Sequence, residues 1–335
     1  MKSLELHSKK KYDRNKTIFE YQNRFYLSIK ICMDNQKMNS RRNFLKQSGV
    51  LVSAAILPIS SFSMANNSKF KMGLQLFTIR DAMAEDPIST LKKVRVLGYE
   101  DSELFGYDGK NDTFYGLKSK DFKKVIDDLD FTVTSGHYDF SSYFTKPFEK
   151  LEGYLEQCID GSHAIGAKYI TWPWLAPEFR TIDNFKRLAE KLNKMGELVN
   201  KSGLGFAYHN HDFEFTDHHG ENGYDIILDD TDAELVKLQM DMYWVEHSSK
   251  KSPKQLIEDN PGRYVMWHIK DMDKVTRDYT ELGNGSIDYV KMLSEIKPDA
   301  LQYYYLEQGG NFTHNSMQSI TDSAAYFKKN LQKFL

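Results

Sequence analysis

The sequence predicts one α/β domain, a (β/α)8 barrel spanning residues 66–335. Short apolar runs alternate with amphipathic stretches along this range, and eight such pairs fit the ~250 residues that this barrel usually needs. Gly98, Gly166 and Gly203 each follow a helical stretch and precede a strand, where a left-handed residue commonly ends a helix. The first strand leads into residues 77–81 (FTIRD) rather than a glycine-rich loop, which argues against an open nucleotide-binding sheet.

Eight apolar runs predict the barrel strands, at residues 71–77, 99–105, 131–136, 169–172, 205–209, 236–242, 264–269 and 302–307. Amphipathic stretches predict helices in the intervals between them, such as residues 88–97, 119–129, 148–165, 182–201, 253–259 and 287–296, and a last one at 317–331. The polar stretches 107–120 and 212–224 predict two long loops on the same rim of the barrel. No linker rich in Pro, Gly or Ser interrupts residues 66–335, which indicates a single domain.

The composition is that of an ordinary globular protein, with 40% hydrophobic and 27% charged residues in a chain of 335. Residues 1–65 hold 12 Lys/Arg and 4 Asp/Glu, which leaves a net charge of −10 on the rest of the chain. Such an acidic remainder repels phosphate, so we expect no nucleic-acid partner. The two cysteines are Cys32 and Cys158, and we interpret Cys158 as a small apolar residue of a helix.

Residues 38–65 have the parts of a twin-arginine export signal. The paired Arg41 and Arg42 precede an apolar run at 49–59, and residues 63–65 (SMA) provide a small-residue cleavage site. We therefore expect a periplasmic protein. The apolar run is far short of the ~20 residues that a membrane span needs, so no stable membrane insertion is expected. Residues 1–37 are basic and without periodicity, and we interpret them as a disordered, over-long extension, with translation starting at Met38.

Nearly every predicted strand ends on a polar or aromatic side chain. These residues are Gln75, Glu103, His137, Trp172, His209 with His211, Asp241, His268 with Lys270, and Glu307. Strand ends often meet water, which explains one or two polar residues there. Charged groups that close several apolar runs are costly to desolvate without partners, so the pattern predicts an active site at the C-terminal ends of the strands.

Two histidines in one strand end provide the strongest indication of a metal site. His209 and His211 alternate, so both side chains can face the barrel mouth. Imidazoles combined with carboxylates suit Mn²⁺, Zn²⁺, Co²⁺ or Fe²⁺, and carboxylates alone suit Mg²⁺, so we expect one divalent ion of unspecified identity. The pair His218-His219 lies in a polar stretch and is expected to be solvated.

The chain resembles the xylose-isomerase-like barrels, also called the sugar phosphate isomerase/epimerase superfamily. The resemblance covers about residues 70–333 and is carried by residues 73–80 and 98–103, Asp241, the segment 268–271 (HIKD) and Glu307. It implies one divalent ion held by a Glu, an Asp, a His and a second Glu.

Asp241, His268 and Glu307 match the last three ligands of that family. At the first ligand the epimerases carry Glu-Asn-His, where this chain has residues 209–211 (HNH). We therefore expect His209 or Glu214 as the fourth ligand.

The resemblance implies an enzyme that removes a proton next to a metal-polarised carbonyl. Loss of the first glutamate argues against epimerisation by two carboxylates. His137 and His211 are the candidate bases, Lys270 is expected to stabilise an enolate oxygen, and Glu307 to serve catalysis as well as the metal. The expected substrate contacts are Gln75, Glu103, Trp172 and Glu214, and the possible stacking faces are Phe105, Trp172, Trp174, Trp244 and Trp267.

Export disfavours a phosphorylated substrate, so we expect a small-molecule carbohydrate without phosphate. Exported relatives of this family include enzymes that cleave 3-keto-glycosides, and this elimination and hydration is the favoured reaction. Isomerisation or epimerisation of a free sugar is the alternative within enzymes. A non-catalytic periplasmic sugar-binding protein is the alternative of another class, although two lobes around a hinge would be expected for it. The sequence predicts no particular oligomeric state.

Overall fold

A computed structural model describes residues 69–335; the expected extension (1–37) and export signal (38–65) lie outside the described residues. Eight parallel strands close into a barrel in which each strand pairs with its sequence neighbours and the first pairs with the last. The strands are β1 (Gly73–Gln75), β2 (Asp101–Phe105), β3 (Thr132–His137), β4 (Tyr169–Trp172), β5 (Gly205–His209), β6 (Lys237–Asp241), β7 (Tyr264–Ile269) and β8 (Tyr303–Leu306). The predicted single-domain (β/α)8 barrel is confirmed.

Helices occupy the intervals between the strands and follow the last one. They are α1 (Arg80–Glu85), α2 (Pro87–Val96), α3 (Ser119–Asp128), α4 (Phe148–Ile165), α5 (Ile182–Lys201), α6 (Gly223–Asp230), α7 (Met242–Ser248), α8 (Pro253–Asp259), α9 (Tyr289–Glu295) and α10 (Ser316–Asn330). The cap glycines Gly98, Gly166 and Gly203 adopt φ of 91°, 80° and 85°, as predicted. None of the helices within residues 69–335 is long and apolar enough to cross a membrane.

Two strands end earlier than predicted because a side chain caps the next helical turn. The side chain of Gln75 accepts a hydrogen bond from the backbone N–H of Phe77 and ends β1 two residues early. Asp241 accepts from the backbone N–H of Trp244 at 3.2 Å, so α7 begins at Met242, which was predicted as strand.

The two predicted loops contain short elements of their own. Residues 107–120 include a hairpin of Thr113–Phe114 with Leu117–Lys118, and α3 already begins at Ser119. Residues 212–224 include a 3-10 turn at Phe213–Phe215 and the first residues of α6. Asn222 starts α6 by accepting from the backbone N–H of Asp225, which is a local capping signal within a polar stretch.

The strand register brings the polar strand ends to one level of the barrel. His209 lies opposite Gln239, and Asp241 lies opposite His268, while Glu307 follows the last residue of β8. Alternate residues of each strand point inward, so these side chains converge at the C-terminal mouth.

A second polar group fills the barrel interior at the opposite end. The Thr134 hydroxyl donates to the buried carboxyl group of Asp101 and lies 2.6 Å from the Tyr305 hydroxyl. Both ends of the barrel interior are thus polar, and the layers between strands and helices form the apolar core.

Candidate metal centre and active site

Asp241, His268 and Glu307 come together at the C-terminal ends of β6, β7 and β8. One potential ligand atom from each lies within 4.8 Å of the others. Nδ1 of His268 is 2.7 Å from Oε2 of Glu307. Two carboxylates and an imidazole are the oxygen and nitrogen donors that divalent ions of the first transition row accept, so the donor set fits the ion that the resemblance implies.

His209 extends this cluster on the side of Asp241. Its Nε2 lies 3.8 Å from Oδ2 of Asp241, and its ring centroid lies 4.6 Å from that of His268. Nδ1 of His209 has no hydrogen-bond partner among the described residues. Burial, with His268 second, holds the pKa of His209 well below its ordinary value, so the ring is neutral and keeps the lone pair that a metal ligand needs.

Glu214, the other expected fourth ligand, lies with its carboxylate among loop residues. It is fully buried, and its oxygens accept from the Tyr208 hydroxyl at 2.7 Å and from the backbone N–H of His211 at 2.9 Å. Burial raises the pKa of Glu214 to about 8. In this arrangement Glu214 fixes the loop that carries His211.

Glu103 lies beneath the cluster and is its main hydrogen-bond acceptor. Its carboxylate accepts from Gln75 at 2.7 Å and from Ser135, Gln239 and His268 at 2.6 Å each. Ser135 and Gln239 were not among the predicted site residues. Since Glu103 is fully buried and surrounded by donors, it orients the ring of His268 from the side opposite Glu307.

The carboxylates of Glu103 and Glu307 and the imidazole of His268 stabilise one another's charged forms. Burial opposes the charged form of Glu103, but His137 and His268 outweigh it and hold its pKa below the ordinary value. Burial likewise opposes a charged His268, but Glu103 and then Glu307 outweigh it and raise the pKa of His268 to about 9. Without a metal, His268 and its two carboxylate neighbours therefore form a charged network.

The ammonium of Lys270 bridges the two carboxylates of the cluster. Its Nζ lies 2.7 Å from Oδ2 of Asp241 and 2.8 Å from Oε2 of Glu307. Burial acts to lower the pKa of Lys270, but these carboxylates outweigh it and keep the ammonium charged. Lys270 therefore brings a positive charge to the place where the sequence predicts an oxygen to be stabilised.

The two candidate bases differ in how far their ring nitrogens are engaged. His137 has Nε2 at 2.7 Å from Oε1 of Gln239, and its Nδ1 is 3.4 Å from Nε2 of Gln75. Nδ1 of His211 has no partner among the described residues. Burial, with Lys270 second, lowers the pKa of His211 well below its ordinary value, so its ring is neutral and able to accept a proton.

Aromatic side chains surround His211 at the mouth. The rings of Trp174 and Trp244 lie 5.2 and 5.9 Å from the His211 ring, and both side chains are half-buried. Trp172, an expected substrate contact, is fully buried, and its indole N–H donates to the backbone carbonyl of Trp174 at 2.7 Å. Trp172 thus supports Trp174 from within the core. Trp267 is also buried.

The site therefore combines three features that proton abstraction needs. A carboxylate and imidazole cluster can hold a cation, a neutral imidazole lies beside it, and aromatic side chains limit the access of water. His209 links the first two, because its ring centroid lies 4.9 Å from that of His211.

Comparison with known proteins places this barrel among described families. Residues 91–329 match the family described as xylose isomerase-like TIM barrel. An inosose dehydratase of Clostridium perfringens is 26% identical over 278 residues, which cover 72% of this chain and 90% of the relative.

Solved structures share the fold. A sugar phosphate isomerase/epimerase from Parabacteroides distasonis superposes with a TM-score of 0.69 at 24% identity, covering 82% of this chain and 99% of the other. The IOLI protein, solved with a binding zinc atom, superposes with a TM-score of 0.63 at 15% identity, covering 79% and 99%.

Proposed function

The chain belongs to the xylose isomerase-like TIM barrel family, and from this premise we propose that it is a divalent-metal-dependent lyase acting on an unphosphorylated keto-sugar. The favoured reaction is the cleavage of a 3-keto-glycoside by elimination and hydration. The observation that carries the proposal is the position of His211, whose Nδ1 has no hydrogen-bond partner among the described residues and whose ring lies against His209 at the edge of the cluster of Asp241, His268 and Glu307.

The ion would be held by Asp241, His268 and Glu307, with His209 as the fourth ligand. When bound, it supplies a positive charge that polarises the carbonyl oxygen of the substrate and acidifies the neighbouring C–H. The zinc atom of the structural neighbour supports a metal here. Two imidazoles favour Zn²⁺, Mn²⁺, Co²⁺ or Fe²⁺ over Mg²⁺, which prefers oxygen ligands.

His211 is the group that removes the proton. In a 3-keto-glycoside the acidic hydrogen is on C2, between the ketone at C3 and the substituent at C1. Nδ1 of His211 takes this proton, and the C2–H electron pair moves onto the ketone oxygen. As the carbonyl re-forms, a C1–C2 double bond forms and the C1–O bond breaks, and the proton held by His211 passes to the leaving oxygen, which departs as an alcohol. Water then adds across the double bond, with its hydroxyl on C1 and a proton on C2, and gives the free keto-sugar.

The positive charge of Lys270 supports the same step. Its Nζ lies within 2.8 Å of carboxylate oxygens of both Asp241 and Glu307, which keeps the ammonium charged at the edge of the cluster. A cation at this position stabilises the negative charge that develops on the ketone oxygen when the C2 proton leaves.

The inosose dehydratase relative supports elimination over epimerisation, because a dehydratase removes a leaving group rather than inverting a centre. Epimerisation of a free sugar is the second candidate, and the sugar phosphate isomerase/epimerase of similar fold supports it. It requires a second proton donor on the other face of the carbon. A sugar-binding protein without catalysis would not need a neutral imidazole beside a cation site.

The test uses the full chain loaded with Zn²⁺ or Mn²⁺ and an aryl 3-keto-glucoside. We expect release of the aryl alcohol and, in deuterated water, deuterium at C2. The matching aryl glucoside without the ketone is the control and should remain intact. Rapid interconversion of free ketoses without release of the C1 substituent would contradict the lyase and favour the epimerase.

We also propose that the chain is exported to the periplasm. It is supported by the sequence of residues 38–65, with its paired Arg41 and Arg42 and the apolar run that follows. A periplasmic location agrees with an unphosphorylated substrate, because phosphorylated sugars are scarce outside the cytoplasm.

A further inference from the structure

Arg180 is held in one orientation at the barrel mouth by two aromatic rings. Its guanidinium carbon lies 4.3 Å from the centroid of Trp174 and 3.7 Å from that of Phe213. Nε of Arg180 donates to the backbone carbonyl of Leu175 at 2.9 Å. These contacts join the loop after β4 to the loop after β5 and leave one end of the guanidinium group for other partners.

Three nitrogen atoms near these rings have no hydrogen-bond partner among residues 69–335: Nη2 of Arg180, Nδ1 of His211 and Nε1 of Trp244. Arg and Trp nitrogens can only donate, so the group that would satisfy them must be rich in acceptors. The atoms are shielded from solvent while their side chains are only half-buried. A ligand that enters between Trp174, His211 and Trp244 would replace contacts between these rings by contacts with itself. It would also supply hydrogen-bond partners for the three nitrogen atoms.

The charge around Arg180 favours a neutral ligand. Burial lowers the pKa of Arg180, whereas Glu214 and then Asp212 act in the opposite direction through their negative charge. Glu214 is mostly protonated at neutral pH because of its raised pKa, so Asp212 supplies the negative charge near the guanidinium group. Hydroxyl oxygens can accept from Arg180 and Trp244 without adding a further negative charge, and the flat rings suit the C–H face of a sugar.

His211 lies between the aromatic side chains of the mouth, Trp174 and Trp244, and the cluster of candidate metal ligands. Its ring centroid is 5.2 Å from that of Trp174 on one side and 4.9 Å from that of His209 on the other. A substrate that spans both groups would place the bond between its two parts against His211, where the C2 proton leaves and the C1–O bond breaks.

We infer that Trp174, Arg180 and Trp244 form a second sugar subsite, which binds a neutral hydroxylated ring attached at C1 of the keto-sugar. The inference rests on the proposed function, which places the keto-sugar ring at the candidate metal ligands. Binding of the other ring at the second subsite can be tested without any reaction. It makes two-ring glycosides, rather than simple alkyl glycosides, the preferred substrate class.

The test is calorimetric titration of the Zn²⁺-loaded full chain with cellobiose, which has no ketone and does not react. We expect cellobiose to bind at least tenfold more tightly than methyl glucoside, and Trp174→Ala and Arg180→Ala to weaken cellobiose binding by roughly 10–100-fold. Arg187→Ala is the matched control, because the guanidinium of this exposed arginine of α5 lies over Phe144 rather than over Trp174 or Phe213. Trp174→Phe keeps an aromatic ring and should retain most of the affinity. Arg180→Lys keeps the charge but not the forked donors.

Circular dichroism checks that each variant is folded. If Trp174→Ala is not, Trp174→Leu serves in its place, since it fills space without an aromatic ring and should also weaken cellobiose binding. If Arg180→Ala is not, Arg180→Lys serves and should weaken binding because it lacks the forked donors. Equal affinity for cellobiose and methyl glucoside would overturn the inference, as would tighter binding of a uronic acid disaccharide. If cellobiose binding depends on Trp174 and Arg180 but no keto-glycoside is cleaved, the subsite stands and the proposed lyase does not. If keto-glycosides are cleaved with the same kcat/KM whatever the C1 substituent, the lyase stands and the subsite does not.

Discussion

Glu103 accepts a hydrogen bond from Nε2 of His268 at 2.6 Å, while Nδ1 of the same ring faces Glu307 at 2.7 Å. A carboxylate on one nitrogen of a histidine fixes the tautomer and turns the other nitrogen toward a metal. In this barrel the carboxylate comes from β2, three strands away from β7 around the barrel. The proposed ligand His268 is thus oriented by a strand that contributes no proposed ligand itself.

Glu103→Gln should weaken metal binding by roughly 10–100-fold, which is the usual effect of losing such an orienting partner. The amide keeps the volume of the side chain but lacks the charge that holds His268. Competition with a chromogenic chelator measures the affinity. Glu156→Gln on the exposed face of α4 is the control. Unchanged affinity in Glu103→Gln would show that Glu103 does not orient the ligand.

Asp241→Asn should lower both the bound metal and the turnover, because the amide cannot supply the negative charge that an ion requires. Elemental analysis of the purified full chain gives the metal content, and the keto-glycoside assay gives the turnover. Asp183→Asn, an exposed aspartate in the first turn of α5, should leave both unchanged. Full metal content in Asp241→Asn would contradict the assignment of Asp241 as a ligand.

His211→Ala should reduce turnover by about 10²–10⁴-fold, the usual contribution of a positioned base, while the metal stays bound. His137→Ala should have a smaller effect on proton transfer, because both nitrogens of His137 are engaged by Gln239 and Gln75. Loss of deuterium exchange at C2 separates the base from a residue that only supports the fold. His163→Ala on the exposed side of α4 is the control. Retained exchange in His211→Ala, with loss in His137→Ala, would reverse the assignment.

Asp101 should make the barrel less stable as the pH rises. Burial raises the pKa of Asp101 to about 7, although Thr134 and Thr132 donate to it. The folded state therefore holds the proton more tightly than the unfolded state, and the stability gained from this is lost as the pH rises through about 7.

Asp101→Asn cannot ionise, so its free energy of unfolding relative to the native chain should increase between pH 5 and about 7 and then level off, by up to about 3 kcal/mol between pH 5 and 8. Urea unfolding at the two pH values measures the difference. Asp128→Asn on the exposed face of α3 should show no such trend. A constant difference between the native chain and Asp101→Asn would contradict a buried, protonated Asp101.

Replacing Arg41 and Arg42 by lysine should abolish export of the folded chain. The twin-arginine signal requires the arginine pair itself, whereas other secretory signals need only positive charge. Fractionation of periplasm and cytoplasm measures export, with Lys69→Arg/Lys71→Arg, two exposed lysines after the expected cleavage site, as the control. Undiminished export of the lysine variant would contradict the assigned signal.

The barrel and the convergence of Asp241, His268 and Glu307 could be predicted because each of these residues closes an apolar run, and parallel strands end at one rim. The hydrogen-bond partners of Glu103 are only partly indicated by the sequence. Gln239 lies two residues before Asp241 on β6, so the alternation of side chains places both on the inward face. The inward direction of Gln239 could therefore be read from the sequence. Its hydrogen bond to Glu103 could not, because the two residues are 136 positions apart in the chain.

The roles of the tryptophans could not be assigned from the sequence either. Trp172 and Trp174 are two positions apart, yet one is fully buried and the other half-buried. The strand ends at Trp172, so the alternation that predicts orientation stops there and the direction of Trp174 depends on the loop that follows. Its contact with Arg180 forms within that loop, and Phe213 from the loop after β5 packs against both side chains.

The contacts of Lys270 with Asp241 and Glu307 give the barrel mouth a counter-ion that belongs to the chain itself. Two buried carboxylates without a neutralising charge would oppose folding. With the ammonium in place, assembly of the polypeptide does not have to wait for a metal, and loading becomes an exchange of one cation for another. If the chain crosses the membrane already folded, the ion that it finally carries is decided by the destination rather than by the place of synthesis.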